Sequence, residues 1–153
     1  MLQLQGLREG AQAPVSVAHE LSFMAFDFGL KRIGVAHGNR ITGTAQPLLT
    51  ISGAPLQRWA AISGQIECWQ PQALVVGVPY YPDGTPHDNT LRAERFIRQL
   101  HGRFHLKVFA VDERYSTTEA RAMHAEDVDS VSAAIILEQF FNECACRHAN
   151  EAP

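Results

Sequence analysis

The sequence predicts an α/β domain: a mixed five-stranded sheet with helices on both faces. Three observations predict it. Ala73-Leu74-Val75-Val76-Gly77-Val78 is a short continuous apolar run, as in a central strand buried on both sides. Helical and strand-like segments alternate from residue 55 onward, which gives crossover connections and parallel strands. Before them, strand-like runs follow one another across short turns, as neighbours in a hairpin do, so the sheet must mix directions.

The elements are justified in order. Leu21 to Phe26 is apolar and aromatic, ends at Asp27, and reads as a buried strand. Phe28-Gly29-Leu30-Lys31 makes a turn, and Arg32 to Ala36 is a second strand. A third lies within Gly43 to Thr50, after the turn at Gly38-Asn39. Pro55 suits the first turn of a helix. Leu56, Trp59, Ala60, Ile62, Ser63 and Ile66 then recur at helical spacing until Pro71 stops the helix. After the strand 73–78 comes the turn signal Pro82-Asp83-Gly84. Asp88 to Phe104 is the clearest amphipathic helix, with Ala93, Phe96, Ile97, Leu100 and Phe104 in one stripe. Lys107 to Val111 alternates as a strand toward Asp112. Ser116 with Glu119 has capping-box spacing and predicts a helix start. The last helix, near Asp129 to Cys146, is apolar almost all round and is expected to be buried. Residues 1–20 read as an N-terminal extension, 21–147 as the domain and 148–153 as a C-terminal tail.

Composition narrows the function classes. The chain has 153 residues, 46% hydrophobic and 19% charged, which suits one globular domain and excludes wholesale disorder. Its longest apolar stretches are interrupted by Gly77, Pro79 and Glu138, so a membrane span is not expected. No secretory pattern opens the chain, and three cysteines without zinc-like spacing suit a reduced compartment, which predicts a cytoplasmic protein. The formal net charge is −3, so any hold on nucleic acid must come from a local basic patch.

The informative pattern is where acids fall relative to strand ends. Asp27 ends the first strand, and Asp112 with Glu113 ends the last. Parallel strands open their carboxyl ends on one edge, where ligands bind in such sheets. That topology can set Asp27 and Glu113 side by side. Asp129, at the start of the last helix, shares a face with Ala133, Ile136 and Phe140, which must press on the sheet, and so is expected to point toward the other two. Three converging carboxylates repel unless a cation neutralises them. Magnesium or manganese fits oxygen donors, and two such ions can clamp the attacking and leaving oxygens of a phosphodiester. The expected metal-binding and catalytic residues are therefore Asp27, Glu113 and Asp129. Gly29 leaves room for backbone or phosphate to come near. Each acid also has an ordinary role open to it: turn former, loop acid, or partner of a helix dipole, a service that Asp127 could equally perform.

The run Asp27-Phe28-Gly29-Leu30-Lys31-Arg32-Ile33-Gly34-Val35-Ala36, followed by Thr44-Ala45-Gln46-Pro47-Leu48, resembles the opening of the YqgF family. These are Holliday-junction-resolvase-like proteins of the ribonuclease H-like superfamily, also described as pre-16S ribosomal RNA nucleases. Val75 to Pro79 with Asp83-Gly84-Thr85, Asp112 to Thr117, and Asp129 to Glu138 resemble its later motifs, over about residues 22–142. The resemblance implies a ribonuclease H-like fold, Asp27, Glu113 and Asp129 as the metal-binding acids, and Asp112 as a helper. It also implies endonucleolytic maturation of the 5′ end of 16S ribosomal RNA, with branched DNA as the alternative substrate. Ribosomal particles are expected partners, and the chain is expected to be a monomer or weak dimer. Two features depart from the family pattern: the short acidic stretch Met123 to Asp127 before the last helix, and the extension before Leu21.

Lys31 and Arg32 beside Asp27, and Arg114 beside Glu113, are expected to contact phosphate. Tyr80 and Tyr81 could stack on unpaired bases or pack over the sheet edge. Arg92, Arg95 and Arg98 read as a solvated helix face. His37, His87 and His124 have no metal-ligand spacing. The Asp-x-Gly turn also occurs in sugar-kinase and actin-like ATPases, which need two domains where this length provides one. A non-catalytic binding protein of the same fold is the remaining rival.

Overall fold

A computed structural model describes residues 20–113 and 127–151, with backbone alone for 145–151. The expected helix from Ser116, the extension 1–19, Arg114 and His124 lie outside the described residues.

Strands β1 (Ser22–Phe28), β2 (Arg32–Asn39) and β3 (Thr44–Ser52) are followed by α1 (Pro55–Trp69), β4 (Ala73–Val78), α2 (Asp88–Phe104), β5 (Lys107–Asp112) and α3 (Val128–Glu151). They form one five-stranded sheet in the order β3-β2-β1-β4-β5. The hairpin strands pair antiparallel, while β1–β4 and β4–β5 pair parallel. β1 therefore lies between an antiparallel neighbour and a parallel one, as the hairpin-then-crossover order requires.

β4 occupies the span its apolar run indicates, while the hairpin strands run past theirs. β2 continues through His37, Gly38 and Asn39, and β3 through Ile51 and Ser52, because ladder hydrogen bonds to the neighbouring strand sustain them. Pro47 is tolerated in β3 because that strand is the sheet edge, where one row of N–H groups needs no partner. Between the Val35–Leu49 and Ala36–Pro47 pairs Leu48 is left as an extra residue, a bulge that bends the edge strand β3 next to Pro47.

The alternation of side chains sorts the core into two layers. Met24, Phe26, Ile33, Val35, Leu74, Val76 and Val108 face α1 and α2, where Ile62, Phe96, Ile97 and Leu100 cover them. Phe23, Ala25, Val75 and Val111 face the opposite way, against Ile136, Leu137, Phe140 and Phe141 of α3. Phe23 meets Phe140 and Phe141 with ring centroids 5.2 and 5.6 Å apart. Helices thus cover both faces. α1 and α2 end where Gln70 and His105 adopt left-handed backbone, with φ of 47° and 57°.

Candidate active site

The face assignment decides which acids meet. Along β1, Phe23 and Ala25 point toward α3, so Asp27 does as well. Along β5, Phe109 and Val111 point that way, so the chain places Glu113, not Asp112, on the α3 side. The Glu113 amide continues the ladder by donating to the carbonyl of Val78, 3.1 Å away, which holds the residue at the strand end.

Two glycines make room on that face. Gly34 is the register partner of Asp27. A Cβ there would overlap the Asp129 carbonyl and lie 2.9 Å from the Ser130 nitrogen, so the first turn of α3 rests directly on β2 beside Asp27. Gly77 comes level with Asp27 on the other side, one step beyond the Phe26–Val76 register. A Cβ at Gly77 would sit 2.7 Å from both Glu113 Cδ and Ile136 Cδ1, within the volume the Glu113 side chain occupies. Gly29 does something else: a Cβ there would come within 2.7 Å of the Arg32 carbonyl, so it closes the β1–β2 turn.

Asp27 and Glu113 are consequently coupled. Burial raises the Glu113 carboxyl from its ordinary value of 4.5 to about 8, and the negative charges of Asp27 and then Asp112 push the same way. At neutral pH that carboxyl carries its proton unless another positive charge arrives.

Asp129 starts α3 on the same face, yet its Oδ2 lies 3.0 Å from Arg32 Nε. Arg32 supplies the counter-charge there, and among the described residues no group of three His, Cys, Asp or Glu side chains is placed to hold one metal ion. The helix start itself is served by Asp127. Its carboxylate accepts hydrogen bonds from the Thr50 hydroxyl and, at 3.4 Å, the Ser130 amide. Burial alone would raise the Asp127 carboxyl, but these hydrogen bonds outweigh it and hold the group below its ordinary value. Asp129 is thereby left for charge pairing at the sheet edge.

Lys31 and Arg32 are exposed on the β1–β2 turn next to Asp27. Tyr80 is partly buried against the α1–α2 core layer, while Tyr81 is 53% exposed and meets His87 edge-on at 4.7 Å. Of the two, Tyr81 is the more open to a ligand. His37 is paired with the Trp69 ring at 4.8 Å, and burial lowers its pKa. Gly34 and Gly77 were not singled out from the sequence. The signal available was their position: each interrupts an apolar strand at the level of Asp27, where a bulky residue would otherwise continue the pattern.

The comparisons with known proteins agree on the family. The model of the RuvX Holliday junction resolvase family matches residues 21–143. A protein of Albidiferax ferrireducens, described as "Putative pre-16S rRNA nuclease", is 59% identical over 83% of this chain and 82% of its own length. One of Polaromonas sp. with the same description is 58% identical over 85% of this chain and 94% of its own. Among solved structures, Thermus thermophilus RuvC in complex with a Holliday junction substrate aligns with a TM-score of 0.50 at 15% identity, covering 80% of this chain and 94% of that one. That likeness carries the fold, and the sheet is ribonuclease H-like. The chain belongs to the RuvX Holliday junction resolvase family.

Proposed function

We propose that this protein is a divalent-metal-dependent endonuclease that hydrolyses phosphodiester bonds in precursor 16S ribosomal RNA, acting on RNA or ribosomal particles in the cytoplasm. The observation that carries the reading is the coupled pair Asp27–Glu113 on one face of the sheet edge, with Glu113 raised to about 8. Two oxygen-donor side chains whose charges repel are suited to a hard cation, which removes the repulsion as it binds. Magnesium often binds through one or two carboxylates and completes its shell with water and substrate phosphate, so the pair is a sufficient protein contribution. Asp129 joins them where it exchanges Arg32 for the cation.

A divalent cation bound there would supply a water of lowered pKa and charge neutralisation at the scissile phosphate. The chain's own residues do the rest. Asp27 and Glu113 would hold the cation at the sheet edge, and so set where the reacting phosphate comes to rest. Lys31 and Arg32 stand on the adjoining turn, where they meet the phosphate backbone and hold its register. Arg32 is the exposed partner of Asp129, so a phosphate that engaged Arg32 would leave the Asp129 carboxylate available to help hold the cation. Arg114 follows Glu113 directly in the chain and is assigned the same kind of phosphate contact.

The test incubates the protein with precursor 16S RNA and, in parallel, a four-way DNA junction, with magnesium or manganese. RNA cleavage that requires the metal and is absent in Asp27→Asn of unchanged circular dichroism is expected. Full activity in that variant overturns the scheme, and cleavage of the junction alone transfers the activity to branched DNA.

A further inference from the structure

We infer that the opposite face of the sheet carries a second nucleic-acid subsite: an arginine-walled cleft between α1 and α2 that holds a single-stranded flank of the RNA. It rests on the nuclease reading for the identity of the strand. The cleft has a volume of about 370 Å³, large enough for a nucleotide unit. Arg58 from α1 faces Arg92 and Arg95 from α2 across a floor formed by Phe28, Trp59 and Phe96. Phe28 stacks on the buried Phe96 at 4.6 Å, Trp59 lies 5.6 Å from Phe96, and Arg103 lies 4.1 Å over the Trp59 ring, so the floor is packed and aromatic with a further guanidinium beside it.

Among the described residues no acid lines the cleft, and no carboxylate forms an ion pair with any of its three arginines. Arg58 donates from Nη1 to the carbonyl of Leu30 at 3.0 Å, which fixes its guanidinium, while its buried Nε has no hydrogen-bond partner. Arg92 is steadied by Asn89 at 3.0 Å. A chain of net charge −3 that gathers three arginines at one opening has built a local anion site. Guanidinium groups pair with phosphate in a planar fork, and the partly buried Phe28 and Trp59 offer a base the aromatic surface they leave uncovered, so the chemistry fits a sequence-tolerant single strand.

Position links the cleft to the carboxylates. Phe28 follows Asp27 in β1 and points to the other face, so cleft and carboxylate pair share one end of one strand. A strand leaving the cleft crosses the Lys31–Arg32 turn to reach Asp27. Arg92 and Arg95, which the sequence alone presented as a solvated face, become one wall of a site, while Arg98 stays outside it.

The test uses Trp69→Phe, which leaves Trp59 as the chain's single tryptophan and fluorescence reporter. The full chain is titrated in chelator with a single-stranded oligoribonucleotide of about ten nucleotides, its duplex, adenosine 5′-monophosphate and inorganic phosphate. A saturable change with the single strand is expected. It should be weakened about tenfold or more by Arg92→Gln/Arg95→Gln, with unchanged circular dichroism, and be retained in Asp27→Asn. Equal affinity in the double variant, or free nucleotide binding as tightly as the strand, overturns the inference. Under magnesium the double variant should raise KM and leave kcat intact. Strand binding without cleavage would sink the nuclease reading and keep the cleft, whereas cleavage with an unaltered KM would do the reverse.

Discussion

The two faces of the sheet, at the same end of β1, solve opposite electrostatic problems. On the α3 face, burial and then the neighbouring carboxylates drive Glu113 to about 8, while Gly77 leaves room for its side chain and Gly34 for the first turn of α3. On the α1–α2 face, arginines stand around an aromatic floor with no acid among them. One face gathers carboxylates, with Arg32 paired to Asp129 beside them, and the other gathers arginines, and a metal-bearing phosphodiester chain that wraps the edge would satisfy both. Adjacent residues of one strand, Asp27 and Phe28, point to the two sides, so a period of two in the sequence becomes a division of labour in space.

The comparison breaks most sharply at Asp27. Asp27→Asn should lower metal-dependent cleavage by at least about 100-fold while leaving strand binding intact, as read by single-turnover assays beside fluorescence titration. An equal loss of both would mean the faces do not act separately.

Gly34→Ala comes next. Its methyl group would intrude on the backbone of α3's first turn, which cannot shift like a flexible side chain. A cost of about 3 kcal/mol is expected, seen as a lower denaturation midpoint. The same substitution at Gly64, where a Cβ meets nothing within 4 Å, should be neutral or mildly stabilising.

Glu113→Gln sharpens the electrostatic side. The native carboxyl is raised, so the folded state holds a proton that the unfolded state releases above about 4.5. Wild-type stability should therefore fall as pH rises from there through about 8, then level off, whereas the Gln variant should lack this slope. Melting curves across that window should nearly coincide at low pH and separate by several degrees above pH 8. Magnesium should restore the wild type at high pH and not the variant.

The smallest effect belongs to Arg32→Gln. Its partner Asp129 is partly exposed and the guanidinium more so, so stability should change by less than about 1 kcal/mol. Manganese affinity should rise a few-fold at most as Asp129 is freed, measured by calorimetry. A strong drop in affinity would show that the Arg32–Asp129 pair braces the site instead of competing with it.

Much of the fold was legible because it rests on short-range periodicity. Ala73–Val78 and Asp88–Phe104 are helix or strand over the span their apolar spacing indicates. The hairpin strands outran their apolar runs, since hydrogen bonds from a neighbour can extend a strand through polar residues such as His37 and Asn39. In the site, Asp27 and Glu113 were legible as strand-end acids on the basis of topology. The Arg32–Asp129 pairing was not, because it depends on where α3's first turn rests on Gly34. Arg92 and Arg95 were visible as a basic stripe, but the cleft they wall needs Arg58 from another helix.

By itself the sequence determined the five strands, the helices at 55–69 and 88–104 and the last one, their order and the acids at strand ends, all set by local patterns of side chains along the backbone. Tertiary structure alone decided which acids meet, which counter-charge each receives, and that one sheet edge presents carboxylates on one face and arginines on the other. The reason is physical: hydrophobic periodicity acts over a few residues, whereas electrostatic coupling and close approach depend on distances that exist only after the layers have packed.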